Sequence, residues 1–363
     1  MSQKVYKSDF YNSIKKILSE LNVNNVLLIT GRSSFENSHV FNQIKNLERE
    51  FKFHRISDFD INPNFKDVQR HVKQVKDVEF EAILSIGGGS VMDFAKLIKL
   101  YNTVSLEINI NELKLQKFES DLPHIAVPTT AGSGSEATHF AVLYKKNKKF
   151  SVAFSKLLPD FVILDSVLTE SMPKFLTACS GIDAFSQAIE SLWAKNASNE
   201  SKRYAKKSLE LILPNILESA LNPNSENRNR MLIGAHLAGK AINISKTTAP
   251  HALAYYLTKH HNIPHGEAVA INLDLFIDDN WNSISNEDKY FLLNAFKCLD
   301  KKGIITRVIE LKKSLGLMSS LSQIKDLNLD KYLSSINMER MGNNPKKYDF
   351  KELKERIINY HKI

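Results

Sequence analysis

At 363 residues the chain is too long for one small domain and long enough for two, each burying its own core. Its 43% hydrophobic and 25% charged content is ordinary for a globular protein, and no run of about 18 apolar residues marks a membrane span. Lys and Arg outnumber Asp and Glu by 49 to 40, but the excess is scattered in short runs at 145–149, 206–207, 301–302 and 346–347; these read as solvated surface in loops or on helix faces, and no zinc-finger or RNP-like pattern points to nucleic acid.

The N-terminal segment mixes charges with apolar residues and lacks the apolar core of a secretory signal. Cys179 and Cys298 are isolated, which excludes a disulfide framework and a cysteine zinc site. A reduced, cytoplasmic setting is the expectation. Residues 8–21 have the spacing of an amphipathic helix. Val26–Thr30 is a short β-branched run, hence a buried strand, and it ends in Gly31, Arg32, Ser33 and Ser34. A helix is expected from about Ser38, a strand over Phe51–Ile56, a loop over 58–64 and helix over Val68–Lys76.

AILSI at 82–86 is a further buried strand, running into Gly87, Gly88, Gly89 and Ser90 and then an apolar helix. Three glycines allow close approach to the backbone, and the helix that follows directs free N–H groups at a guest. An anion suits that place, a dinucleotide pyrophosphate most commonly. Since the run is not GxGxxG, a plain tight turn reads equally well. HIAVP at 124–128 is the next strand, and TTAGSGSEAT at 129–138 follows it, with hydroxyls from Thr129, Thr130, Ser133 and Ser135. Two such loops at the C-terminal ends of strands are more telling than one, because ligands of open α/β sheets bind there. FVILD at 161–165 is a strand preceded by Leu158, Pro159 and Asp160, and TESMP then breaks the pattern.

Strands alternating with helices give a parallel α/β sheet over residues 1–176. From about Phe175 the pattern is helix after helix: 180–195, 201–221 with Pro214 as a kink or boundary, 228–244, 248–260 and the tail from about 287. Residues 177–363 therefore form an all-α domain. Within it, Asp183 and Gln187 lie one turn apart on one face. Asp183 reads as a helix N-cap or as a buried carboxylate seeking a metal. His251 sits in an Ala-rich helix, and His265 stands between Pro264 and Gly266 where the chain must turn. One helical and one turn imidazole can converge on a metal ion; a core histidine and a loop histidine is the other reading.

Taken together, SIGGGSVMDFAK, VPTTAGSGSEAT, LPDFVILDSVLTESMP, SGIDAFSQAIES and His251 with IPHGEAVA resemble, in order, the iron-dependent (group III) alcohol dehydrogenase family. The resemblance runs from about residue 26 to 275. It implies an N-terminal dinucleotide-binding α/β domain and a helical C-terminal domain with the active site in the cleft between them, and a homodimer. By motif, Gly87, Gly88, Gly89, Ser90 and Asp93 fall to the pyrophosphate, Thr129, Thr130 and Ser133 to the ribose and nicotinamide side, and Leu158 to packing on the cofactor. Asp183, His251 and His265 match three metal ligands, for ferrous iron or zinc. The family's usual fourth ligand, histidine, is Gln187 here, a weaker and harder donor. Many members also carry a histidine, often invoked in proton relay, where this chain has Tyr255.

The corner after the first strand carries Gly31, Arg32 and Ser33 with no carboxylate to repel a 2′-phosphate, so NADPH is expected ahead of NADH. The segments around Gln187 and His251 look like the branch that reduces phosphonoacetaldehyde to 2-hydroxyethylphosphonate, which implies a small anionic aldehyde as substrate. Lys246, five residues before His251, is the candidate to hold the anion, or else a surface lysine at a helix start. Another small alcohol, polyol or sugar-phosphate carbonyl is the alternative substrate, and a non-catalytic nucleotide-binding member the alternative class.

Overall fold

The computed structural model describes residues 3–363 apart from 8, 109, 114, 115 and 147. Residue 8 of the expected first helix and residue 147 of the basic run at 145–149 thus lie outside the described residues. The chain divides into two compact units, Met1–Thr130 with Gly134–Ser171, and Ala131–Ser133 with Met172–Ile363. The expected boundary at 176 falls instead inside the first turn of a helix that starts at Lys174.

The first unit holds strands β1 (Lys4–Tyr6), β2 (Asn25–Thr30), β3 (Lys52–Ile56), β4 (Ala82–Gly87), β5 (His124–Pro128), β6 (Phe140–Lys145), β7 (Lys148–Ala153) and β8 (Phe161–Ile163). Its helices include α1 (Phe10–Glu20), α2 (Ser33–Glu36), α3 (His39–Leu47), α4 (Phe65–Gln74), α5 (Gly89–Tyr101) and α6 (Ile110–Leu113). Six strands form a parallel sheet in the order β1-β8-β5-β4-β2-β3. The apolar runs of β2 and β4 feed both faces, as a doubly covered parallel sheet requires. Leu27 and Ile29 face the core under α4 and α5, with Val68, Phe94 and Ile98. Val26 and Leu28 face the other core, with Phe10 and Ile14 of α1 and Ile44 of α3. That alternation is the two-residue period of a strand.

From β2 the chain crosses to β3 on one side, then returns to β4 on the other. The order therefore reverses between β2 and β4, and their C-terminal ends, Gly31 and Gly87–Gly89, flank the topological switch point where such sheets bind ligands.

Two features depart from the sequence-based expectation. β1 is a three-residue strand, too short and too charged to register. Lys145, Lys148 and Lys149 of the basic run lie in strands rather than in a loop or on a helix face: Lys145 pairs with Lys148 at the end of the antiparallel β6–β7 hairpin. Along β6 it is burial that alternates, with Ala141 and Leu143 buried between partly exposed neighbours, which is the strand period.

The second unit is helical among its described residues: α7 (Lys174–Trp193), α8 (Asn199–Ile212), α9 (Ile216–Leu221), α10 (Ser225–Ser245), α11 (Ala249–His260), α12 (His265–Ala270), α13 (Leu273–Asn280) and further helices from Asn286 to His361. Pro214 separates α8 from α9. The expected amphipathic helix at 180–195 is instead central: every residue of α7 from Gly181 to Trp193 is buried, because α8, α9, α10 and α12 all pack on it. A helix buried all round has no polar stripe to reveal its phase.

Gly87 closes β4, and a Cβ there would stand 2.5 Å from Val91 Cγ2 and 2.8 Å from Val91 Cβ in the first turn of α5. Gly87→Ala is expected to cost about 1–3 kcal/mol through overpacking. Adding Val91→Ala to that variant should cost less than Val91→Ala alone, a coupling that denaturant unfolding of the four chains measures. Strictly additive costs would show that the two side chains do not meet.

Candidate metal centre

The site is built on α7. This helix carries several polar side chains into a dry interior, and most satisfy themselves locally. Ser186 Oγ donates to the Ile182 carbonyl at 2.7 Å and Ser191 Oγ to the Gln187 carbonyl at 2.9 Å, the usual way a hydroxyl settles inside a helix. Asp183 Oδ1 and Gln187 Oε1 do not: both are buried and without a hydrogen-bond partner. Asp183 lies in the middle of α7, whose N-cap is Pro173, so the N-cap reading of Asp183 is excluded.

His251 is the third residue of α11, and His265 opens α12 rather than lying in a turn. Asp183, His251 and His265 each offer a ligand atom, and the three atoms lie within 4.8 Å of one another. His251 Nε2 stands 3.3 Å from Asp183 Oδ1. Two close approaches seat these parts. A Cβ on Gly266 would lie 1.9 Å from the Cys179 carbonyl oxygen, and one on Gly132 would lie 2.9 Å from Ser180 Cα. Bare backbone at Gly266 lets α12 rest on α7 one turn before Asp183. Gly132 does the same for the 131–133 segment, whose Ser133 carbonyl accepts from Gln187 Nε2 at 3.3 Å.

Electrostatics fit a cation. Burial pushes the Asp183 carboxyl up, but the imidazoles of His251 and His265 outweigh it and hold it below the ordinary carboxylate range. Burial works against a charged His251, yet Glu190 and Asp183 raise its pKa to about 10. One carboxylate, two imidazoles and an amide oxygen, two of these groups with a buried atom lacking a partner, are donors that suit zinc or ferrous iron. Tyr255 lies parallel to the His265 ring at 5.8 Å.

Glu190 is the residue the sequence reading missed. Its Oε1 accepts from His251 Nδ1, and its Oε2 accepts from Thr248 N at 2.6 Å and Thr248 Oγ1 at 2.8 Å. The signal was present: 183, 187 and 190 follow the four- and three-residue spacing of one helix face.

Lys246, the candidate anion holder, pairs with Glu339 at 2.9 Å and is half-buried. In the first unit, Gly88 caps α5 with no side-chain hydrogen bond to the helix start, an arrangement that suits an anion. A Cβ at Gly88 would come to 3.3 Å from Thr130, so turn and loop already touch. Thr129 N donates to the Gly87 carbonyl at 3.0 Å. Leu158 ends a short 3₁₀ turn, half-buried.

Asp93 departs from the pyrophosphate role: its Oδ1 accepts from Ser135 Oγ at 2.5 Å and its Oδ2 from Val142 N at 2.9 Å. Beside it, Lys96 Nζ donates to Ser135 O, Ser135 Oγ, Thr138 Oγ1 and Phe140 O, and burial pulls its pKa down to about 8. The pair fixes the second loop to α5. At the β2 corner, Arg32, Ser33 and Ser34 are exposed. Arg55 there bonds Thr30 Oγ1, the Gly31 carbonyl and Glu36.

Glu190 and Asp183 hold a proton on His251 to higher pH than an ordinary imidazole keeps it, and that proton must leave before Nε2 can ligate. Metal affinity therefore rises with pH while that proton is held, about tenfold per unit for each proton released. Chelator competition for zinc at pH 6, 7 and 8 measures it, and a dissociation constant that stays flat over that span would contradict the assigned ligand.

Comparison with known proteins agrees with this geometry. Residues 2–166 match the family description "Iron-containing alcohol dehydrogenase", and residues 177–355 match "Fe-containing alcohol dehydrogenase family, C-terminal". Long-chain-alcohol dehydrogenase 1 of Geobacillus thermodenitrificans is 33% identical over 61% of this chain and 58% of its own length. The probable alcohol dehydrogenase EutG of Escherichia coli is 31% identical over 69% of this chain and 61% of its own. The chain thus spans about three fifths of these two curated relatives. Among solved structures, sulfoacetaldehyde reductase from Bifidobacterium kashiwanohense in complex with NAD+ has a TM-score of 0.89 and 26% identity, over 99% of this chain and 96% of that one. Both units, and the ligand cluster within the second, place the chain in the iron-containing alcohol dehydrogenase family.

Proposed function

We propose that the protein reduces a small aldehyde to its alcohol with a nicotinamide cofactor, that the aldehyde carries a tetrahedral anion, and that phosphonoacetaldehyde is the substrate. The observation that carries the reading is the convergence of Asp183, His251 and His265 within 4.8 Å, with Gln187 Oε1 buried and unpaired beside Asp183. These four residues would hold the metal. When bound, the ion supplies Lewis acidity to a carbonyl oxygen. Asp183 offsets its charge, and the buried surroundings exclude water and strengthen each electrostatic contact. Tyr255, half-buried against His265, is the residue assigned to proton transfer.

Support for the anionic substrate is of two kinds: the likeness of the segments around Gln187 and His251 to the phosphonoacetaldehyde branch, and the structural neighbour that is a sulfoacetaldehyde reductase, whose aldehyde bears a sulfonate. Lys246 is the cation assigned to the anion, and it must exchange its Glu339 carboxylate for the substrate. Exposed Arg32, Ser33 and Ser34, with Glu36 neutralised by Arg55, favour NADPH. The working unit is proposed to be a homodimer.

Cofactor oxidation by the purified protein, with ferrous iron or zinc supplied, tests the whole reading. NADPH oxidation is expected to be fastest with phosphonoacetaldehyde and slower with a neutral aldehyde of similar size. Lys246→Ala should raise KM for the anionic aldehyde at least about tenfold, the worth of one charge-assisted contact, and leave KM for the neutral one within about twofold. Equal rates on neutral aldehydes would remove the phosphonate assignment and leave the dehydrogenase. No turnover with any carbonyl under either metal would remove both.

A further inference from the structure

The geometry points to Glu190 as the positioning residue of the metal centre: it locks the ring of His251 through one oxygen and the start of α11 through the other, and so sets metal affinity. This inference rests on the metal reading above and deepens it.

His251 presents Nε2 to the site and Nδ1 to Glu190 Oε1. A neutral imidazole carries one N–H, and a hydrogen bond at Nδ1 keeps the proton there, which leaves the Nε2 lone pair for a cation. The carboxylate also makes its ring partner a stronger donor. Glu190 Oε2 works on the backbone. It accepts from the N–H and the hydroxyl of Thr248, the N-cap residue of α11. His251 lies three residues further on, so the same side chain fixes both the ring's rotation and the position of the turn that bears it.

The surroundings hold Glu190 itself. Its side chain is fully buried. Trp193 Nε1, from the same helix, donates to Thr248 Oγ1 at 2.9 Å, which directs that hydroxyl's proton toward Glu190. Ser191 Oγ and Ser245 Oγ lie 2.9 Å apart. Asn343 Nδ2 donates to the carbonyls of Ser245 and Thr247 at 2.8 and 3.0 Å, pinning the segment from α10 into α11 from its other side. A carboxylate with both oxygens occupied by this scaffold does not face a substrate. It acts through His251.

The test uses the full chain stripped of metal by chelation, with zinc affinity read by competition and cobalt substituted for its visible absorption. Glu190→Ala is expected to weaken zinc binding about 10–100-fold, the usual effect of losing such a partner of a metal-ligating histidine, and to change the cobalt spectrum. Glu190→Gln keeps an oxygen able to accept the Nδ1 proton but loses the charge, and a measurable loss smaller than that of the alanine variant is expected. It carries the test if the alanine variant does not fold. Nicotinamide-nucleotide binding and far-ultraviolet circular dichroism should stay at wild type in both. A folded variant of either kind with wild-type zinc affinity and cobalt spectrum would overturn the proposal. His251→Ala serves as the reference: if it too retains zinc, the metal assignment itself fails, whereas loss of zinc there with retention in the Glu190 variants removes only the role given to Glu190.

Discussion

Two carboxylates buried on one face of one helix are the constraint to which the second unit answers. Asp183 and Glu190 are both buried on α7, at 6% and 0% exposure. An unpaired carboxylate in such a place would neutralise or destabilise the fold by several kcal/mol. The structure answers by setting His251 between them, within 3.3 Å of Asp183 Oδ1 and bonded to Glu190. Glu190 is then fully used by protein groups, while Asp183 Oδ1 has the His251 ring at 3.3 Å without a hydrogen bond and Gln187 Oε1 accepts none. The charge left over is negative, local and lined with donors, which is what a divalent cation requires. The helices around α7 are the means of delivering the second imidazole, and the bare backbone of Gly266 is what lets α12 bring His265 close enough.

The first unit solves a different problem, the exposure of backbone N–H groups at the end of a strand. Three glycines and an uncapped helix start leave those groups open. The price of such a turn is looseness, and the side chains one and two turns further along α5 counter it. Asp93 and Lys96 bind the second loop and the start of the hairpin, so both loops at this end of the sheet hang from the same helix. A buried lysine is costly alone, and here it meets four oxygen acceptors within 3.1 Å. Those contacts give Asp93 and Lys96 a structural part, that of holding the second loop and the hairpin to α5.

Much of this was legible in the sequence because the parallel sheet writes itself as apolar runs ending at glycine. The strands at 25–30, 82–87 and 124–128 fell near their expected places, and Asp183, His251 and His265 lie together in one cluster. What escaped did so for physical reasons. β1 has three residues and two of its side chains are polar or charged at the surface. In the β6–β7 hairpin FAVLYK is apolar through its first four residues and KKFSVA opens on two lysines, so neither strand shows a two-residue pattern in sequence. Burial on every side of α7 leaves no polar stripe to mark where it begins, so the expected start at 180 misses the true start at Lys174 and Asp183 lies mid-helix rather than at a cap. Glu190 shares the helix face of Asp183 and Gln187, but spacing alone cannot tell a carboxylate that meets a metal from one that holds a ligand. Only the position of α11, set by packing distant in sequence, separates those roles.

The amide at 187 sharpens that division of labour. Its Nε2 is tied to the Ser133 carbonyl at 3.3 Å, a long and weak bond, so the group is held with less authority than His251. Its oxygen carries no charge and donates less strongly to a metal than imidazole does. In a centre where one of four donors is both weak and loosely held, the remaining three must be placed well for the ion to stay. Asp183 is fixed by the central helix that bears it, and His265 by α12 resting on that helix through Gly266. His251 stands on α11, which follows a left-handed residue at Lys246, φ 57°. It is the donor whose backbone most needs a tether, and Glu190 provides it at both ring and helix start.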